Sequence, residues 1–169
     1  MAFQTAMNVT QAPAVAGDFA SSNPRHSMLS VPGAFVAGAG GVQVGLFAWA
    51  DTSTGTILLN AGSGLPTGFI HRAVNALNYA YFTSADATTF TIPAGMGVGE
   101  LFDGGDFFVK NAGAGAVTIG MKAFASNTLG TISFATAGAT VTGSTETKWF
   151  AKTAGAAGEL IKMSDQVPG

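Results

Sequence analysis

Glycine sets the tightest limit on what this chain can build. With 24 Gly in 169 residues, and Asn and Asp beside many of them, the sequence is cut into short apolar segments. Runs of Glu, Lys, Leu and Gln that would sustain a long helix are absent. Short apolar segments recurring between turn residues are the pattern of a sandwich or barrel. The expected fold is all-β: a β-sandwich or jelly-roll-like module, or a small β-barrel, with an extended N-terminal arm. Strands are expected over 42–50, 56–60, 68–72, 88–92, 106–111, 116–125, 131–135, 145–152 and 159–164.

Two of these segments carry extra information. Val42, Val44 and Leu46 share one face of a strand, whereas Phe47 and Trp49 take the other. That change of side predicts a bulge at Gly45 or a strand buried on both faces. In Lys148-Trp149-Phe150-Ala151-Lys152 the lysines and Phe150 alternate with Trp149, which makes Trp149 the core residue. Residues 73–82 resist assignment. Ile70, Val74, Leu77 and Tyr81 have helical spacing, while Tyr79 and Tyr81 alternate as in a strand.

Residues 1–30 read as an arm and residues 31–169 as one β domain. Pro13, Gly17, Pro24 and the run Ser21-Ser22-Asn23 interrupt any long element in the first part. Fully extended, an arm of this length reaches about 100 Å at roughly 3.3 Å per residue. Its apolar residues Phe3, Met7, Val9, Val15 and Phe19 require a surface to cover, on their own domain or on a neighbour.

Charge narrows the function. Asp, Glu, Lys and Arg make up 9% of the chain, against roughly 25% in ordinary soluble domains. The net charge is −2 and the seven basic residues are scattered along the sequence, so no basic field for nucleic acid is expected. So little charge protects a free monomer poorly, which suits a surface that lies against other subunits. No cysteine is present, which removes disulfides and thiolate metal sites. The charge-free run 27–50 holds Pro32, Gly33, Gly38, Gly40, Gly41 and Gly45, so it reads as loop and strand, not a membrane span. The first basic residue is Arg25, and no basic n-region of a signal peptide precedes it.

Chemistry is sparse. His26 and His71 are the only histidines, no Gly-x-Ser-x-Gly elbow surrounds a serine, and both histidines read as structural or interface side chains. Asp103-Gly104-Gly105-Asp106 has too few oxygens around it for a calcium loop and reads as a tight turn. Gly115 to Ala123 approaches a phosphate loop, but Met121 separates Gly120 from Lys122 and no Ser or Thr follows; Val117 and Ile119 alternate there as a strand. Gly95, Gly97 and Gly99 lack the spacing of a dinucleotide fingerprint. No catalytic residue, cofactor or metal is expected, and the chain does not read as an enzyme.

Five blocks of sequence look familiar. They are Ala16-Gly17-Asp18-Phe19-Ala20-Ser21-Ser22-Asn23-Pro24-Arg25, Val42-x-Val44-Gly45-x-Phe47-Ala48-Trp49-Ala50-Asp51, Pro66-Thr67-Gly68-Phe69-Ile70-His71-Arg72, Gly105-Asp106-Phe107-Phe108-Val109-Lys110-Asn111 and Thr118-Ile119-Gly120-Met121-Lys122-Ala123. In their order and spacing the chain resembles the structural cement proteins that decorate tailed-phage heads. It departs from them at Leu46, where a longer, basic side chain is expected. The resemblance implies a non-enzymatic β module made in the host cytoplasm and bound to the capsid exterior of the virion. Its implied partners are the major capsid protein and further copies of itself, as dimer or trimer. Phe3, Val9, Phe19, Arg25 and Arg72 are the expected interface residues, because aromatics and arginine anchor protein contacts.

Other readings stay open at this point. One is a tail, baseplate or fibre component. A second is a small hydrolase using His71, Asp51, Asp86 and Asp103, and a third is a sugar-binding module stacking on Trp49 or Tyr81.

Overall fold

Gly45 is where the chain first commits to its architecture. Its φ of +75° ends β3 (Val42–Gln43) in a turn and starts β4 (Phe47–Ala50) on a new path. The structure, a computed structural model, describes residues 14–29, 33–72 and 91–166. The uncertain stretch 73–82, Phe3, Val9, Tyr81 and Asp86 lie outside the described residues.

Three sheets form among the described residues, none of them closed into a barrel, and no helix is present there. The larger sheet has six short strands. They are β1 (His26–Ser27), β2 (Val36–Ala37), β4, β5 (Ile57–Leu59), β6 (Gly68–Ile70) and β8 (Leu101–Gly104), in the order β1-β8-β6-β4-β5-β2. β3 pairs with β7 (Thr91–Ile92) as a separate two-stranded ribbon. The third sheet has longer strands: β9 (Asp106–Lys110), β10 (Lys122–Ser126), β11 (Ile132–Ala135), β12 (Ser144–Ala151) and β13 (Leu160–Ser164). Their order is β11-β10-β12-β13-β9.

An aromatic core fills the space between the two large sheets. Phe47, Phe69 and Phe102 meet Phe107, Trp149, Ile161 and Met163 there, all buried. The rings of Phe69 and Phe107 lie 4.8 Å apart and tilted, a favourable aromatic arrangement. Trp149 is a core residue, as its place between Lys148 and Phe150 predicts. Trp49 is buried too, and its Nε1 donates to the Gly64 carbonyl at 3.1 Å, so it offers no exposed platform for a sugar.

The six-stranded sheet is covered on its other face as well. Ala48, Leu58, Ile70 and Leu101 pack there with Val42, Val44, Ile92 and Val98 in a second, aliphatic core. Gly45 therefore marks both a break and a change of face: Val42 and Val44 serve the second core, Phe47 and Trp49 the first.

Several expectations need correction. Residues 116–121 are not strand: Val117 makes one isolated bridge to Gly155, the chain turns at Gly120 (φ +89°), and Ile119 is 64% exposed. The turn expected before the strand Asp106 to Asn111 falls at a single residue, and it links two sheets. At Gly105 (φ +133°) the chain bends from β8 in one large sheet directly into β9 in the other. β1, β2 and β8 form where the sequence offers no clear alternation.

Candidate assembly interface

Residues 15–20 form a strap that touches both large sheets. The Gly17 amide donates to the Phe108 carbonyl (2.8 Å), the Phe108 amide to the Asp18 carbonyl (2.9 Å), and the Ala20 amide to the Asp106 carbonyl (2.9 Å). The strap thus extends the β9 edge, which would otherwise leave backbone groups unpaired. The Gly17 carbonyl accepts from the Arg72 amide (3.2 Å) and from Nδ1–H of His71 (2.6 Å), just past β6. Backbone approach is too close here for side chains. A Cβ on Gly45 would stand 2.9 Å from the Ala16 carbonyl carbon, and one on Gly17 would stand 3.1 Å from the Gly45 nitrogen.

The side chains of the strap make a stack. Phe19 lies 3.7 Å from the His71 ring at an interplanar angle of 18°, and its ring also contacts Phe102 and Phe107. The Arg25 guanidinium covers the Phe19 ring, 3.7 Å from its centroid. Arg72 Nε pairs with Asp18 Oδ1 at 2.8 Å. Burial holds His71 below its ordinary pKa, against the Gly17 hydrogen bond and the charges of Glu100 and Asp18, which raise it; Arg25 adds to the lowering. The imidazole is therefore neutral and donating at neutral pH.

Three of the expected interface residues, Phe19, Arg25 and Arg72, converge on this cluster, with their first contacts on their own chain. Phe3 and Val9 lie outside the described residues. Asp18 was not singled out by sequence, because nothing local links it to a residue 54 positions away. Register alone brings them together.

Of the residues weighed for a hydrolase, the three that are described, His71, Asp51 and Asp103, are each engaged by separate partners. Asp51 accepts hydrogen bonds from Ser53, Thr54, Thr56 and Ile57 within its own loop. The Ser53 hydroxyl contributes most to holding its carboxyl well below the usual carboxylate range. Asp103 pairs with Lys148 at 2.8 Å, and His71 is engaged by the strap. Among the described residues no group of His, Cys, Asp or Glu is arranged to hold a metal ion, and no helix is long and apolar enough to cross a membrane.

The basic residues are not scattered once the chain is folded. All five lysines lie on the five-stranded sheet or immediately after β12, a gathering that sequence position conceals.

Fold and surface define a β-sandwich structural module, strapped at its N-terminal side. A family model described as XM1 gp53 minor capsid protein matches residues 3–165, and the chain belongs to that family of phage capsid-associated proteins. A solved chain from "The capsid of Myoviridae Phage XM1" has a similar fold, with a TM-score of 0.64 at 19% identity over 98% of each chain. No curated protein matches the chain.

Proposed function

We propose that this protein is a cement protein. It binds the exterior of a tailed-phage capsid in many copies and stabilises contacts between major capsid subunits, without turnover. The observation that carries this reading is the match to a minor capsid family across residues 3–165. The low charge supports it, since crowded copies repel one another little. Modest affinity per copy suffices, because attachment at many sites raises the effective concentration of each.

In this reading residues 1–30 act as an arm and residues 31–169 as the module that seats on the shell. The Phe19–Arg25–His71 stack fixes the base of the arm, and Phe3 and Val9 reach a neighbouring major capsid subunit or a sister copy. Deletion of the gene from the phage is expected to give heads that release DNA at a lower temperature, restored when purified protein is added back. Heads of unchanged heat resistance would refute the reading. A protein lacking residues 2–12, a cut that spares the strap, is expected to bind such heads more weakly. Undiminished binding would remove the arm from the account.

A further inference from the structure

The outer face of the five-stranded sheet is basic and aromatic, and its chemistry identifies a kind of partner. In β9 and β13, Phe107, Val109, Ile161 and Met163 turn into the core, so Phe108, Lys110, Leu160 and Lys162 turn outward. In β12 and β10 the same alternation puts Phe150 and Lys122 on that face, with Lys152 just beyond the end of β12. Cross-strand register assembles them: Lys162 stands opposite Phe108, Leu160 opposite Lys110, and Lys122 opposite Phe150. Lys122 Nζ lies 3.7 Å from the Phe150 ring centroid and Lys162 Nζ lies 5.7 Å from that of Phe108.

Three of these cations, Lys110, Lys122 and Lys162, lack acidic counterparts among the described residues. Residues 106–169 carry five lysines and four carboxylates, whereas residues 1–105 carry two arginines and five carboxylates. Each of the four carboxylates has hydrogen-bond partners other than these three lysines, and Asp106 also feels the charge of Lys152. Asp106 accepts from Ser21 and Asn23, Glu146 from the Gly138 amide, Glu159 from the Ala156 amide, and Asp165 from the Gly105 amide. Lys110, Lys122 and Lys162 pair with no carboxylate among the described residues, while Lys148 turns away to Asp103. At its β9 and β13 end the face runs into an open groove of about 440 Å³ lined by Val15, Val44, Leu46, Lys110 and Leu160.

From this juxtaposition of unpaired lysines and an apolar groove, we propose that the face docks a carboxylate-bearing segment of a protein partner that also carries an apolar side chain. The inference rests on the capsid-binding reading and names the chemistry of the shell surface that the module meets. Lysine bodies and Phe rings suit such a segment, because the apolar parts pack while the ammonium groups reach the carboxylates. Nucleic acid suits it less. A few lysines on the face of a sheet release few counterions, the Phe150 ring is already covered by Lys122, and the chain as a whole is anionic. Residues 1–13 contain no charged side chain and cannot supply the carboxylates.

The test uses full-length protein and purified heads that lack it, with binding measured by co-sedimentation over a range of salt. Wild-type protein is expected to bind, and more weakly as salt rises. The double variant K110E/K162E is expected to lose about tenfold or more in affinity and most of the salt dependence, with K110Q/K162Q intermediate. K148E, a matched charge change at the lysine already paired with Asp103, is expected to bind as wild type does. Unchanged melting temperatures would exclude misfolding as the cause. If wild-type protein binds and K110E/K162E binds equally well, this inference fails and the cement reading stands. If wild-type protein does not bind at all, the cement reading fails and takes the inference with it. If a single-stranded oligonucleotide binds as tightly as the heads and competes with them, the partner is nucleic acid and the proposal is overturned.

Discussion

The two large sheets solve the same problem in opposite ways. The six-stranded sheet uses strands of two to four residues, and its central strands β4 and β6 are buried on both faces between an aromatic and an aliphatic core. The five-stranded sheet uses strands of four to eight residues, with one face in the aromatic core and the other turned outward except where Phe124 is covered. Burial on both faces removes polar side chains, so the first sheet is nearly free of charge and depends on glycine turns and covering segments. One-sided burial leaves alternate positions open, and the second sheet fills them with lysine and phenylalanine. One sheet is scaffold on both faces, whereas the other has a face to spare for contact.

The largest effects should come from the cores that each sheet depends on. Phe107→Ala, which empties the centre of the aromatic core, is expected to cost about 3–5 kcal/mol in denaturant unfolding. Leu58→Ala, on the far face of the six-stranded sheet, is expected to cost about 2–5 kcal/mol, because Leu58 is fully buried. A negligible cost at Leu58 would break the comparison, since it would mean that only one face of that sheet is structural.

Gly45→Ala is expected to cost about 1–3 kcal/mol, from the positive φ and the collision with Ala16. Hydrogen exchange should report which region yields: the Phe108 and Ala20 amides gain exposure as the strap lifts, while those of β12 and β13 stay protected. Uniform loss of protection would show that the strap is not a separate element.

The pH effect is smaller still. His71 has a folded pKa below its ordinary 6.5, so the unfolded chain takes up the proton first. Its contribution to stability is complete above about pH 7 and declines as pH falls through 6.5 toward the lowered folded value. Thermal melts between pH 7.5 and 5 should show this decline, and His71→Phe, which keeps a ring against Phe19, should abolish it. In Asp106, burial works to raise the pKa, but hydrogen bonds from Ser164, Ser21 and Asn23 outweigh it. The lowered value confines that carboxylate's contribution to more acidic pH. The smallest change is expected on the open face: Lys162→Glu should alter stability by no more than about 0.5 kcal/mol.

The contrast between the sheets also explains what could be read before folding. Asp106–Lys110, Ser144–Ala151 and Leu160–Ser164 alternate because one face meets water, and each is close to its expected place. β1, β2 and β8 serve a sheet shielded on both sides, or its edges, and show no such period. Val117 and Ile119 imitate alternation, yet Gly120 turns the chain and leaves Ile119 in solvent. The site was legible in its residue types, with Phe19, Arg25 and Arg72 expected at a contact. Its geometry was not, because the pairing of Arg72 with Asp18 and the gathering of lysines from three hairpin-distant segments are products of register. No local pattern encodes either.

The central claim is that this chain is a lattice component of a phage head, and copy number tests it most directly. Quantitative mass spectrometry of purified virions should give its ratio to the major capsid protein. The account predicts a ratio near one, or a simple fraction of it. A handful of copies per particle, as expected for a tail, baseplate or fibre part, or complete absence from the particle, would contradict it.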